Sequence, residues 1–524
     1  MTYNIYAEGL RIVSTLKATE NGAIAYTTTD GAVVDLFATI GAMRNGDDSE
    51  ERLSKMIARA AAEDSLLTAK TLFYARDIRG GLGERRVFRS ALYICAMEHP
   101  ELVEPNLDLV PEYGRWDDLF SLIGTPLEDT MWAIIDHQLM LDVTAARTGR
   151  APSLLAKWMP SAKTSSKETM ALARYAAKKL DLSVYEYKRV IRDIRARLRL
   201  LEQDMTAGRW SEIDYGHLPS QAHMRHVGAF QRHDGERYCK YMDDVSKGEE
   251  KINTGTLFPY EIIERLTWDE EANRPYYEMW RNLPDYVGDG GNVLVIADTS
   301  GSMLGRPITV STSLAMYFAE RNKGPFANMY MTFSERPQLI AIDPTSSLLD
   351  RYEKMKRGPW GMNTDLKLAL DLLLYVAKRT EAPQEDMPKS IVVITDMEID
   401  QCAYGEDAWN TIVDVVEKDF AEAGYKMPNI VFWNVASRHD TYLAKSNRKG
   451  IQLVSGSSPS VFKAVLGFID GMTPTDAVRQ ILSTERYAPI KVGQRADRKT
   501  SYRHFYIRFH IYLICSQHRA PRAR

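Results

Sequence analysis

The sequence predicts two architectures in series: an all-helical repeat domain over residues 31–285, then a doubly wound, mainly parallel α/β domain over 290–472. Three observations predict it. Up to about residue 285, apolar residues recur at three- and four-residue spacing. After Gly288-Asp-Gly-Gly291 the period changes, and Asn292-Val-Leu-Val-Ile-Ala297 is a continuous apolar run of the kind a parallel strand needs when both its faces are covered. Beyond that run, strand and helix signals alternate, which makes a parallel sheet with helices on both faces.

The helical segments are expected at 31–44, 50–76, 83–98, 127–146, 167–180 and 183–202. Short breaks at Gly80-Gly81, Glu98-His99-Pro100, Gly124-Thr125-Pro126 and Gly149 to Pro152 separate them. Medium helices with short breaks suggest stacked hairpins, a HEAT-like solenoid or ring, although no fixed-period repeat is visible. In the second part a helix is expected at 307–322, strands at 327–333 and 338–342, and a helix at 364–378. A strand at 390–394, a helix at 408–423, a strand at 429–433 and a helix at 459–470 follow. Residues 1–30 form an N-terminal segment, 473–490 a helix packing back on the body, and 491–524 a basic tail without assignment.

Bulk properties set the class. With 44% hydrophobic and 26% charged residues in 524, the chain is globular and long enough for a large core without disulfide staples. Cys95, Cys239, Cys402 and Cys515 lie far apart and form no CxxC pair. The first twenty residues lack the apolar stretch of a signal peptide, and no apolar run is long enough for a bilayer. A cytoplasmic protein without a membrane partner is therefore expected. The net charge of -3 is uneven, because nine Lys/Arg against one acid from Lys491 onward give the tail +8 and leave -11 on the rest. Such a tail suits an anionic partner or is a solvated end.

The chemistry gathers in loops at strand ends. The first strand runs into Asp298-Thr-Ser300-Gly-Ser302, the loop before a long helix holds Thr364, and the strand at 390–394 runs into Thr395-Asp396. In a doubly wound sheet such loops meet at the carboxyl edge. Three hydroxyls (Ser300, Ser302, Thr364) and two carboxylates (Asp298, Asp396) are hard oxygen donors suited to Mg2+ or Mn2+. These five positions resemble the metal-ion-dependent adhesion site of the von Willebrand A and integrin I-domain family. The resemblance implies direct metal contact by the hydroxyls, carboxylates acting often through water, and a metal free to accept a partner's carboxylate. A turn without metal is the bland alternative. An aspartyl phosphatase is another, but Ser300 stands where that chemistry wants a second acid. No catalytic residues and no enzymatic activity are expected.

Two basic features stand out in the first part. Residues 171–201 carry nine Lys/Arg against three acids, and Lys188, Arg192, Arg195 and Arg199 recur at four, three, four along one face. They could neutralise phosphates, with Tyr175, Tyr185 and Tyr187 as stacking surfaces, or flank a solvated helix. A second run, Arg76-Asp-Ile-Arg79-Gly-Gly-Leu-Gly-Glu-Arg85-Arg86-Val-Phe-Arg89, holds glycines that could bring backbone amides close to a phosphate. It lacks the Lys-Ser/Thr ending of a P-loop and reads better as a tight turn between helices. His217, His223, His226 and His233 with Cys239 match no standard zinc spacing and read as surface or hydrogen-bonded histidines.

The strings LFYARDIRGGLGERRVFR (72–89), PEYGRWDDL (111–119), SLLAKWMPS (153–161) and FQRHD (230–234) resemble an uncharacterised family of helical-plus-A-domain proteins of phages, bacteria and plants. More remotely, the architecture resembles the TROVE module of Ro autoantigen-like proteins, which implies a helical ring that binds small non-coding or structured RNA. The leading expectation is thus an RNA-binding, ribonucleoprotein-like scaffold whose A domain closes a ring or grips a partner. The alternative is a protein-interaction adaptor whose metal binds a partner's Asp or Glu, without RNA.

Overall fold

The computed structural model describes residues 15–43, 49–288, 292–333, 336–358, 365–401, 410–461 and 471–494. A helical N-terminal part is followed by a six-stranded, mostly parallel sheet, the order of architectures that the periodicity predicts. The chain forms two compact units, each discontinuous in sequence: Met1–Ala91 with Asp204–Ile490, and Leu92–Gln203 with Lys491–Arg524.

The sheet strands are β3 (Val293–Asp298), β4 (Met329–Phe333), β5 (Leu339–Ala341), β6 (Ser390–Thr395), β7 (Asn429–Asn434) and β8 (Ile451–Ser455), preceded by a small hairpin of β1 (Leu16–Ala18) and β2 (Ile24–Tyr26). Their spatial order is β5-β4-β3-β6-β7-β8, with β5 antiparallel to β4 and every other pairing parallel. All six residues of β3 are buried, which explains its unbroken apolar run. From β3 the chain winds outward through β4 and β5, then returns to β6 on the other side and winds out through β7 and β8. The reversal leaves a crevice at the carboxyl ends of β3 and β6, where doubly wound sheets bind ligands.

The hairpin belongs with the sheet. The turn between β1 and β2 bridges to Asp400, and Tyr26 and Tyr442 exchange backbone hydrogen bonds of 2.8 and 3.0 Å. The following helix, Ala32–Ile40, is buried along nearly its whole length. Ser455 at the end of β8 accepts from the Gly41 amide (3.0 Å) and donates to the Phe37 carbonyl (3.0 Å).

Several local expectations change. The 50–76 segment is two helices, Ser49–Glu63 and Ser65–Arg76, because Asp64 turns extended and caps the second by accepting from the Leu67 amide (2.9 Å). The 183–202 segment starts with a Ser183/Glu186 capping box but ends at Arg195. The 459–470 helix lies mostly outside the described residues. Among the described residues no helix is long and apolar enough to cross a membrane.

Candidate metal centre

β3 ends on Asp298, whose carboxylate stitches the crevice together. Its Oδ1 accepts the Ser300 amide (2.9 Å), an Asx turn that bends the chain just past the strand. Its Oδ2 accepts the Thr395 hydroxyl (2.6 Å) from the end of β6, so both strand ends share one acid. The Gly301–Met303 turn then brings the Ser300 and Ser302 hydroxyl oxygens to 3.0 Å.

On the β6 side Asp396 is buried, and its Oδ1 accepts the Glu398 amide at 3.3 Å. Met397 between them has a φ of 72°, a left-handed conformation that costs a bulky residue about 1–3 kcal/mol and is typical of functional sites. The Arg438 guanidinium closes the rim: Nη2 donates to Asp396 Oδ2 (2.8 Å) and to the Ser302 carbonyl (3.0 Å).

Asp298, Ser300, Ser302 and Asp396 are thus brought together, whereas Thr364 lies outside the described residues. Burial first, and the Asp396 charge second, push the Asp298 carboxyl up to about 6. The Thr299 hydroxyl is buried without a partner. Among the described residues no cluster of three or more His, Cys, Asp or Glu is placed to hold a metal, so hydroxyls must complete any shell here. The donor set fits a small hard cation. Two neighbouring ligands of octahedral Mg2+ lie about 3 Å apart, and the serine oxygens have that spacing, which also suits a hydrogen bond. Thr395, Arg438 and Glu20 (3.3 Å from Arg438 Nη1) are site residues that sequence reasoning missed.

The basic stripe is divided. Lys188 and Arg192 are exposed on the helix Val184–Arg195, with Arg192 paired to Asp193 at 2.9 Å. Arg195 instead faces inward, donating to the carbonyls of Ala156 (2.7 Å) and Met159 (2.8 Å), and burial lowers its pKa. Arg199 lies past the helix end with a φ of 45°, so the four, three, four spacing does not continue to it. Arg195→Ala is expected to destabilise this helical unit by about 2–3 kcal/mol through the two carbonyls left behind. A urea titration of the variant checks this.

Arg85 and Arg86 are exposed, and Arg86 donates to the Met43 carbonyl (2.7 Å). The glycines beside them form the tight turn expected. The Gly81, Leu82, Gly83 and Glu84 amides donate to the carbonyls of Asp77, Tyr74, Asp77 and Ala75 at the end of the helix Ser65–Arg76. These amides close a helix and do not cradle a phosphate.

The histidines disperse. His217 is exposed and bonds Asp214 (2.8 Å), while His233 stacks on Trp210 at 4.5 Å. His223 is fully buried among Tyr215, Phe230, Tyr238 and Tyr241, its Nε2 3.0 Å from the Tyr238 hydroxyl. Burial lowers its pKa from 6.5 to about 4. In that pH window the unfolded chain takes the proton first. The neutral imidazole therefore contributes stability that is complete above about 6.5 and lost as pH falls toward 4, about 3 kcal/mol in all. His223→Gln should flatten the acid limb of a urea-midpoint profile between pH 7 and 4, and an unchanged limb would contradict this account.

Two family models match the chain one after the other. Residues 19–148 and 155–283 match a family model described as a domain of unknown function (DUF2828), and residues 292–501 match another (DUF7788). The chain is 28% identical over 494 residues to the uncharacterized protein L728 of Acanthamoeba polyphaga mimivirus, covering 87% of this chain and 85% of that protein. Among solved structures it is similar to the Ro (RSR) protein of Deinococcus radiodurans, with a TM-score of 0.46 and 13% identity over 84% of this chain and 99% of that one.

Proposed function

We propose that the protein is a non-enzymatic binding scaffold. Its sheet domain holds one hard divalent cation, Mg2+ or Mn2+, and uses it to take up an Asp or Glu of a protein partner. The observation that carries the reading is the meeting of Asp298, Ser300, Ser302 and Asp396 at the strand reversal, where both carboxylates are buried and the Asp396 charge adds to burial in raising the proton affinity of Asp298. A cation relieves that repulsion. With hydroxyls in direct contact and the two carboxylates acting through water, the ion stays electrophilic enough to attract a further carboxylate. Thr364 completes the proposed ligand set. The two acids are used in holding the ion, which leaves neither to serve as a general base.

The test is calorimetric titration of the purified chain with Mg2+ and Mn2+, followed by pull-down with and without EDTA. One-site binding and a partner lost on chelation are the expected results. No heat with either ion and a chelator-insensitive partner would end the reading.

RNA binding is the second reading, favoured by the exposed Lys188 and Arg192 on one helix in a stretch of net charge +6. If both contact phosphates, Lys188→Ala with Arg192→Ala should flatten the slope of log affinity against log salt by about 1–2. An unchanged slope with a structured RNA would remove this face from RNA binding.

A further inference from the structure

Arg438 joins two carboxylates with different surroundings. On one side Nη2 meets Oδ2 of Asp396, a side chain with 0% exposure. On the other Nη1 lies 3.3 Å from Oε2 of Glu20, a side chain 45% exposed. Glu20 sits in the turn between β1 and β2, and its Oε1 is 2.9 Å from Nε2 of His439.

The backbones at both ends are anchored. The Glu20 amide donates to Glu398 Oε2 and the Asn21 side-chain amide to the Glu398 carbonyl, each at 2.7 Å. Arg52 clamps the loop that carries Arg438, with Nε 2.7 Å from Asp440 Oδ1 and Nη2 2.8 Å from both the Ser437 hydroxyl and the His439 carbonyl. The Arg438 side chain lies between these anchors, with Nη2 also donating to the Ser302 carbonyl (3.0 Å) and Nε buried without a partner.

A guanidinium on Asp396 takes one lone pair of Oδ2 and places a full positive charge beside the cation site. Oδ1 is already engaged by the Glu398 amide. A divalent ion entering next to Asp298 must therefore share Asp396 with Arg438, and like charges at such distances repel strongly when partly buried. The guanidinium already touches a second carboxylate to which it can turn.

We infer that Arg438 is the resident counter-ion of Asp396 and competes with the divalent cation for it, and that Glu20 is the alternative partner that takes the guanidinium when the cation binds. The inference rests on the reading of this site as a cation site. It makes cation affinity depend on the β1–β2 hairpin. Whatever lifts Glu20 away from Arg438 leaves the guanidinium on Asp396 and weakens the ion.

The experiment is titration of the full chain with Mn2+, with free Mn2+ read by electron paramagnetic resonance. Arg438→Ala should bind Mn2+ at least about fivefold more tightly than wild type, a change of about 1 kcal/mol, and Glu20→Gln about threefold more weakly. Arg438→Lys keeps the charge without the planar fork and should fall between wild type and Arg438→Ala, which guards against a folding artefact of the truncation.

A plain electrostatic field gives the first two signs as well, so the double variant decides. If Glu20 acts by holding the guanidinium, Glu20→Gln has no further effect once Arg438 is Ala. Additive effects, or an Arg438→Ala affinity equal to wild type, would overturn the relay and leave the cation site standing. No Mn2+ binding by wild type or by any variant would overturn the cation site and the relay with it. Binding by Arg438→Ala but not by wild type would be the strongest form of support.

Discussion

Asp298→Asn is expected to stabilise the metal-free protein while abolishing its response to metal. Asp298 is completely buried, and burial together with Asp396 raises its carboxyl to about 6. An acid whose folded pKa exceeds its unfolded one costs stability once the pH is above both, so at pH 7.5 the ionised group opposes folding by about 3 kcal/mol at most. The amide keeps the shape, can accept the Ser300 amide proton through its oxygen, and can turn its NH2 to the Thr395 hydroxyl. Removing the charge should therefore raise the melting temperature in EDTA. With Mg2+ at a hundred times its dissociation constant, wild type should gain about 2.7 kcal/mol and the variant nothing. The two melting curves should cross between chelator and saturating metal. A variant that gains as much from Mg2+ as wild type would place the ion elsewhere.

That crossing depends on a part of the molecule that the sequence displays openly. Asp298, Ser300 and Ser302 fall within five residues, and the buried runs of β3 and β6 show which strand ends lead into the proposed ligands. β8 is less legible because Gln452 and Ser455 interrupt its apolar run, though both are buried. The three-residue strands of the hairpin are too short for any period to show. The helix end at Arg195 is hidden because Leu198 and Leu201 continue the apolar seam after the backbone has left it. Glu20 and Arg438 are 418 residues apart and have no local pattern, so their pairing follows only from the hairpin docking on the sheet. Both compact units are likewise discontinuous, and the helical periodicity passes through their boundaries without a break.

The run Arg76 to Arg89 shows how a charged motif can serve the fold instead of a ligand, and it carries the largest expected loss of stability. Asp77, with 0% exposure, accepts Arg486 through both oxygens (Nε at 2.9 Å, Nη2 at 2.8 Å), the Tyr487 hydroxyl at 3.1 Å and the Arg79 amide at 3.1 Å. Burial and the Asp77 charge hold the Tyr487 phenol well above its ordinary range, so it donates as a neutral hydroxyl. The carboxylate also caps a turn with no spare room, since a Cβ on Gly81 would run into the Tyr74 carbonyl oxygen. Asp77→Ala removes the carboxylate that the guanidinium and the phenol share, which costs about 3–5 kcal/mol. Arg486→Met should cost a similar amount, because the buried carboxylate keeps the Tyr487 hydroxyl and the Arg79 amide but loses its counter-ion. The double variant Asp77→Leu with Arg486→Met replaces the pair by apolar groups of similar volume and should recover more than half of either loss, because no buried charge is then left alone. Urea unfolding of the three variants followed by tryptophan fluorescence measures this. Single variants within about 1 kcal/mol of wild type, in the range of exposed pairs, would show that the Asp77 network is solvent-screened and does not hold the Arg486 segment on the helix end.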